Sequence, residues 1–268
     1  FVMAVFILVP VIAPSIGQVI LIFFNWEAIF WMFLITALLV CIWFSIRLDE
    51  TLLPESRQPL SFRKIRNGMI EVLKTRTALG YTLATGFLFS PFVGYLSSSQ
   101  QIFADGYGKK DEFPLLFASL ALTFGVASLV NARLVYRYGL KRLCFASVSV
   151  ITGLSGIFLL GILGMDKMPP LWLFMGYMMI IFPGIGFLFG NLNALAMEPL
   201  GHIAGVGAAM IGSLSSLISI PLGILIAGVF NGTVLPLITG FSLCGLAVLF
   251  SIIWAEKNPQ SKVVVENP

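Results

Sequence analysis

An all-α protein that lives in lipid is predicted by three observations: a composition too apolar for water, apolar runs as long as a bilayer is thick, and basic residues sorted between the ends of those runs. Of 268 residues, 58% are hydrophobic and 10% charged, whereas soluble domains hold roughly 45–50% and about 25%. A water-facing surface needs more polar groups than that. Hydrocarbon needs fewer, because a charge at mid-membrane costs about 2.5–3.5 kcal/mol even on lenient insertion scales.

The runs come first. A spanning helix needs about 20 residues, since roughly 30 Å of hydrocarbon is crossed at about 1.5 Å per residue. Charge-free runs of that order cover residues 1–25, 28–46, 77–104, 113–132, 143–165 and 168–197. A seventh, 203–255, is about twice one span and divides at the turn signal Asn231-Gly232-Thr233. Eight spans are expected.

Charge sorting supports that count. With eight spans both chain ends face one side, and thirteen of the 16 Lys and Arg residues fall there, leaving Lys109, Lys110 and Lys167 opposite. Short cytoplasmic loops carry the basic excess, so both ends of this chain are expected to be cytoplasmic. The net charge of +4 therefore reports topology, and no nucleic-acid partner is expected. Cys41, Cys144 and Cys244 lie far apart inside apolar runs, which fits small buried hydrophobes, with no metal site and no disulfide framework.

Residues 49–76 form the one sizeable polar segment. Pro54 and Pro59 open it, and Phe62, Ile65, Met69, Ile70 and Leu73 then recur at helical spacing. That pattern predicts an amphipathic helix on the membrane surface; a solvated loop is the alternative. The chain divides accordingly into two spans (1–48), a basic linker (49–76), six spans (77–256) and a tail (257–268). It begins at Phe1, inside an apolar run, without an initiator Met or the basic region of a signal peptide. A chain shortened at its amino end is the expectation.

Two spans, a basic linker and six spans resemble the major facilitator superfamily, whose members pair two six-helix halves around a mid-membrane site. On this resemblance the chain holds the last two helices of the amino-terminal half and the whole carboxy-terminal half. The first span carries Pro10-x-x-Ala13-Pro14-x-x-Gly17, similar to the antiporter motif of drug:proton antiporters, with Gln18 where a second glycine is usual. Pro14 removes a backbone donor and Gly17 permits close helix approach, as any kinked membrane helix would also require. The turn Asn25-Trp26-Glu27-Ala28-Ile29-Phe30-Trp31 and the string Asp49-Glu50-Thr51-Leu52 resemble the borders of the superfamily's sixth helix. Arg133, Arg137, Gly139, Lys141 and Arg142 resemble its cytoplasmic loop motif Gly-x-x-x-Asp-Arg-x-Gly-Arg-Lys, with Tyr136 at the aspartate position. A positively charged anchoring turn explains the same charges. Asn191-x-Asn193-Ala194 and Ile203-Ala204-Gly205-Val206-Gly207-Ala208 look like the junction of the tenth and eleventh helices in Bcr/CflA-like multidrug efflux proteins.

The resemblance implies proton-coupled efflux of lipophilic small molecules across a bacterial inner membrane, by a protein that is monomeric when full length. Uptake of a small nutrient is the rival within the superfamily. A single histidine argues against a membrane-embedded transferase; no catalytic residue and no cofactor are expected. No acid falls inside a span, so the proton-coupling acid is not expected in this chain, and His202 is placed in a loop. The third span supplies cavity candidates in Ser90, Pro91, Gly94, Tyr95 and Gln100, and the sixth in Asn191 and Asn193. For the serines and asparagines, hydrogen bonding between helices is the competing explanation. The small residues of the seventh span are expected to pack across the interface between halves.

Overall fold

The computed structural model describes residues 16–17, 19–48, 61–164 and 168–257. The described residues are almost wholly helical: α1 (Glu27–Arg47), α2 (Phe62–Lys74), α3 (Arg76–Gln101), α4 (Phe113–Tyr138), α5 (Leu140–Ile162), α6 (Leu171–Met197), α7 (Ala204–Gly228) and α8 (Leu235–Glu256). Among the described residues six stretches are long and apolar enough to cross a membrane. One of them, Leu171–Gly228, has 58 residues, about 87 Å if it were one straight helix, and is broken into α6 and α7 by the 3-10 turn Glu198–Ile203. Of the expected first span, residues 1–15 and 18 lie outside the described residues, and with them Pro10, Ala13 and Pro14 of the motif. So do Asp49-Glu50-Thr51-Leu52, the start of the linker, and the tail beyond Lys257.

Connections are as short as the alternation of long helices allows. Gly139 alone joins α4 to α5, with φ 81° and ψ 153°, a left-handed backbone that a side chain would strain. Thr75, extended at φ −78° and ψ 101°, alone separates α2 from α3. A single π-helical turn, Ile102–Gly106, continues α3. Pro114 and Pro236 stand in the first turns of α4 and α8, where the missing N–H has no helical partner to lose.

The helices α3–α8 form one bundle in which α3 is central, packed most extensively on α7, then on α8 and α6. Contact depends on small residues. A Cβ at Gly86 would lie 2.9 Å from Ile218 Cβ, and one at Gly94 would lie 2.9 Å from Ile226 Cγ2. From the other side, a Cβ at Gly223 would meet Val93 Cγ1 at 2.6 Å and the Ser90 carbonyl at 2.9 Å. Ser215 Oγ donates to the Thr82 carbonyl at 3.3 Å. Of the small-residue face of α7, Ser215 and Gly223 thus pack on α3 inside the same bundle rather than across an interface between halves, while Gly207 faces Leu200 and Met197. Gly205 and Gly212 have open space around them.

The linker helix α2 starts at Ser61, whose Oγ accepts from the Lys64 N–H at 3.5 Å, and it buries Gly68 and Val72 against α7 and α3. No residue of α1 is buried. Its surface from 28 to 46 is apolar all round except for Thr36 and Ser45, and Ser45 returns its hydroxyl to the Cys41 carbonyl.

The α3–α7 contact yields a direct comparison. Gly223→Ala should destabilise by about 1–3 kcal/mol through overpacking, whereas Gly212→Ala should be neutral or stabilising by up to about 1 kcal/mol, its helix propensity gained at no steric cost. Thermal unfolding of both variants in one detergent checks this.

Candidate functional site

Aromatic side chains line the contact between α3, α4 and α6. On α4, Phe117, Phe124 and Asn131 recur every seven residues, and on α6 Phe182 and Phe189 do the same, which holds each set on one helical face. Tyr95 on α3 stacks on Phe117 (6.0 Å, 13°) and meets Phe182 edge-on at 5.1 Å. Toward one end Phe92 stacks on Phe124 at 6.0 Å, and Phe89 packs edge-on against Phe189 at 5.1 Å. Toward the other, Phe103 and Tyr107 enclose Phe174 at 6.0 and 5.9 Å. Edge-to-face and offset geometries like these contribute about 0.5–1.5 kcal/mol per pair beyond area burial. The column is buried at Tyr95, Phe103 and Phe174, and it opens to the surface at Phe189.

Near the Phe189 end the same helices α4 and α6 are joined by a pair of amides. Asn131 Nδ2 donates to Asn191 Oδ1 at 3.0 Å, and Asn191 Nδ2 returns a bond to Asn131 Oδ1 at 2.9 Å. Asn191 is buried, so the pair supplies a partner that hydrocarbon cannot. Asn193 is partly exposed and donates to the Phe189 carbonyl of its own helix at 3.0 Å.

The α3 residues separate by role. Ser90 is buried and donates to the Gly86 carbonyl at 2.9 Å, one turn back. Pro91 is buried inside the helix, and Gly94 faces Ile226 of α7. Tyr95 presents a buried hydroxyl without a hydrogen-bond partner, as does Tyr107 just beyond the span. Burial pushes the Tyr107 hydroxyl above the usual phenol range. Gln100 is exposed and lines a cavity of about 670 Å³ together with Gly17, Leu21, Lys110, Asp111 and Phe113. Gly17, the one described residue of the motif positions Pro10, Ala13, Pro14 and Gly17, therefore lines the same cavity as Gln100.

At the opposite end of the bundle lies the basic loop. Lys141 Nζ approaches Glu256 Oε1 at 2.9 Å, and the Tyr81 hydroxyl donates to the same carboxylate oxygen at 2.6 Å. Arg76 Nε donates to the Trp254 carbonyl at 2.7 Å, its guanidinium 4.9 Å above the Trp254 ring. These contacts tie the starts of α3 and α5 to the end of α8. Gly139, Lys141 and Arg142 line an open groove of about 550 Å³ with Leu195 and Glu198. Arg137 lies over the Tyr138 ring at 5.3 Å, and Arg133 is exposed. Neither touches Glu256. Asn131, Phe117, Phe124, Phe182 and Glu256 were not singled out from the sequence; for the first four the seven-residue spacing was the available signal. Among the described residues no three His, Cys, Asp or Glu side chains converge.

Comparison with known proteins follows the same lines. The family profile described as Major Facilitator Superfamily matches residues 1–223. The bicyclomycin resistance protein homolog of Haemophilus influenzae is 27% identical over 267 residues, covering 96% of this chain and 65% of the relative. The uncharacterized MFS-type transporter YdgK of Bacillus subtilis is 30% identical over 213 residues, covering 78% of this chain and 52% of that protein. The chain thus spans between half and two thirds of the length of these relatives. No solved structure matches.

Two stability measurements test the polar contacts. Asn131→Ala should cost about 1–3 kcal/mol by leaving the buried Asn191 amide unpaired, while replacing both asparagines by Leu should recover most of that loss; denaturant titration in detergent reads both. At the basic end, Glu256→Ala should cost more than Lys141→Ala. The exposed ion pair contributes about 0–1 kcal/mol, but the buried Tyr81 hydroxyl loses the carboxylate it donates to, at about 1–3 kcal/mol.

Proposed function

The chain belongs to the major facilitator superfamily, and from that premise we propose that it is the larger part of a proton-coupled efflux transporter that moves lipophilic compounds outward by alternating access. In this reading eight spans cross a bacterial inner membrane, both ends of this chain are cytoplasmic, and the six-helix bundle α3–α8 moves as one body against an amino-terminal half to which α1 belongs. The full-length protein is a monomer, and the coupling acid lies outside this chain.

The observation that carries the reading is the aromatic column of α3, α4 and α6. Its rings run along α6 from Phe174 to Phe189 and reach the surface at Phe189, and its polar groups are the Tyr95 and Tyr107 hydroxyls and the Asn131–Asn191 pair. Apolar and aromatic walls with few polar groups suit drug-sized lipophilic ligands. A nutrient-uptake site for a sugar or amino acid needs convergent charged or multiply hydrogen-bonding side chains, and α3 directs its Thr82, Thr85, Ser90 and Ser98 hydroxyls to its own carbonyls. The 27% identity to a bicyclomycin resistance protein homolog supports the efflux branch. The cavity joining Gly17 to Gln100 and Phe113 supports a role for the Pro10–Gly17 motif at the contact between halves.

Everted membrane vesicles from bacteria producing the protein test the proposal. On energisation they should accumulate ethidium above the level of control vesicles, and a protonophore should release it. Energised accumulation by intact cells instead, or accumulation that a protonophore leaves untouched, overturns the reading.

A further inference from the structure

The linker helix carries a surface that the bundle does not use. Only Thr75 separates α2 from α3, and α3 enters a membrane span at Arg76. The helix α2 therefore sits at the hydrocarbon boundary, within reach of lipid headgroups. Its orientation there is fixed. Gly68 lies against α7, where a Cβ would meet Val206 Cγ1 at 3.0 Å, Val72 is buried, and Glu71 Oε1 pairs with His202 Nε2 at 2.7 Å.

Away from that contact Phe62 is 83% exposed, and Met69, Ile70 and Leu73 are exposed beside it. Positions 62, 69 and 73 fall in one stripe at helical spacing. Arg66 stands within the stripe, and Arg63 and Lys74 along its margin, all exposed. The one acid on the helix, Glu71, is held by His202. An apolar stripe edged only by cations matches a layer that is apolar below and anionic above. Side chains of Phe, Met and Leu enter the headgroup–acyl boundary by about 5–10 Å, while Arg and Lys stems run along the hydrocarbon and present their charges to phosphates. A protein partner of apolar surface would leave those cations without counter-charge. We propose that α2 is a docking surface for anionic phospholipid, fixing the linker to the acidic face of the bilayer. This is independent of what the transporter carries.

The experiment uses the full chain with its three cysteines replaced by alanine and one nitroxide label, at Met69→Cys or Asn67→Cys, in nanodiscs of phosphatidylcholine alone or mixed with phosphatidylglycerol. The expected result is that the label at 69 collides with oxygen more than with a water-soluble nickel chelate, the reverse at 67, and that phosphatidylglycerol lowers nickel access at 69 further. Arg63→Gln, Arg66→Gln and Lys74→Gln should remove the phosphatidylglycerol effect stepwise, the immersed-to-free ratio falling about fivefold per charge. Equal nickel access at 69 and 67 in both lipids overturns the proposal, and so does shielding of 69 from both reagents, which would mean that protein covers the stripe. Immersion of 69 that is the same in both lipids overturns the anionic preference, and this comparison needs no charge variant.

Discussion

A peptide N–H or C=O inside hydrocarbon has no water to turn to, and each one left unpaired costs several kcal/mol. The described architecture follows from that constraint. Backbone groups are paired within long helices, and turns are pushed to the bundle's ends and kept short, down to the single residues Thr75 and Gly139. Hydroxyls obey the same constraint. Thr82, Thr85, Ser90, Ser98, Ser242 and Ser251 all donate to a carbonyl four residues back, which satisfies them without help from a neighbour. Prolines inside α3, α6 and α7 each remove one donor from the ladder, and they stand on helices that pack against α3 or on α3 itself.

Once every helix is self-satisfied, little draws one helix to another, because lipid tails are as apolar as leucine. What remains is close contact, and glycine provides it. Gly86 and Gly94 on α3 receive Ile218 and Ile226, and Gly223 on α7 receives Val93, so the two helices interlock in both directions. Gains of about 0.1–0.2 kcal/mol per atom pair accumulate only at such distances. The helix α1 has no comparable contact: it buries nothing in the described structure, and a helix apolar on every side is satisfied by lipid or by further membrane helices. The bundle α3–α8 and α1 thus differ in kind, one held by complementary shape and the other by its solvent.

This difference also explains what the sequence could and could not reveal. Run length is a property of one segment, so α1, α3, α4, α5, α6 and the division at Asn231 were legible, with boundaries within about three residues except the end of α4, which runs on to Tyr138 past the expected 132. The amphipathic spacing of α2 was legible for the same reason. Partnership is a property of two segments. The Asn131–Asn191 pair joins residues 60 apart, and nothing in either neighbourhood names the other; in the sequence Asn131 is one more residue near the end of the run 113–132. The carboxylate of Glu256 gathers Tyr81 and Lys141 from 175 and 115 positions away, although on the page it is one more charge at a helix end. Ser90 shows the limit in another way. Its spacing marks a helical position, but whether its hydroxyl turns to its own helix or across to another depends on a rotamer that the sequence does not encode. The small residues of α7 were recognised as a packing face, and the partner assigned to it was wrong for Ser215 and Gly223, because complementarity resides in Val93 and Thr82 on α3.

The contacts of charged side chains and the aromatic column occupy different levels of the bundle, and the separation has a consequence for selectivity. At the basic end, Lys141, Glu256, Tyr81, Arg76 and Trp254 join three helices through directional bonds, which hold α3, α5 and α8 in one relation. Between the ends, α3, α4 and α6 meet through rings whose centroids lie 5.1 to 6.5 Å apart. A wall of rings gains dispersion with any apolar or aromatic surface of suitable size, and adding or removing one methylene changes that gain by only about 1–3 kcal/mol. Sharp discrimination arises when a buried donor or acceptor is left empty by the wrong ligand, and the column has one such group in its middle, the unpartnered Tyr95 hydroxyl. A ligand able to reach that hydroxyl with an acceptor would satisfy it, and one without an acceptor would leave it as it already is. Tyr95 therefore penalises no apolar compound relative to the empty protein. On the efflux reading, broad acceptance of lipophilic molecules follows from having built the wall of rings and confined fixed charge to the ends.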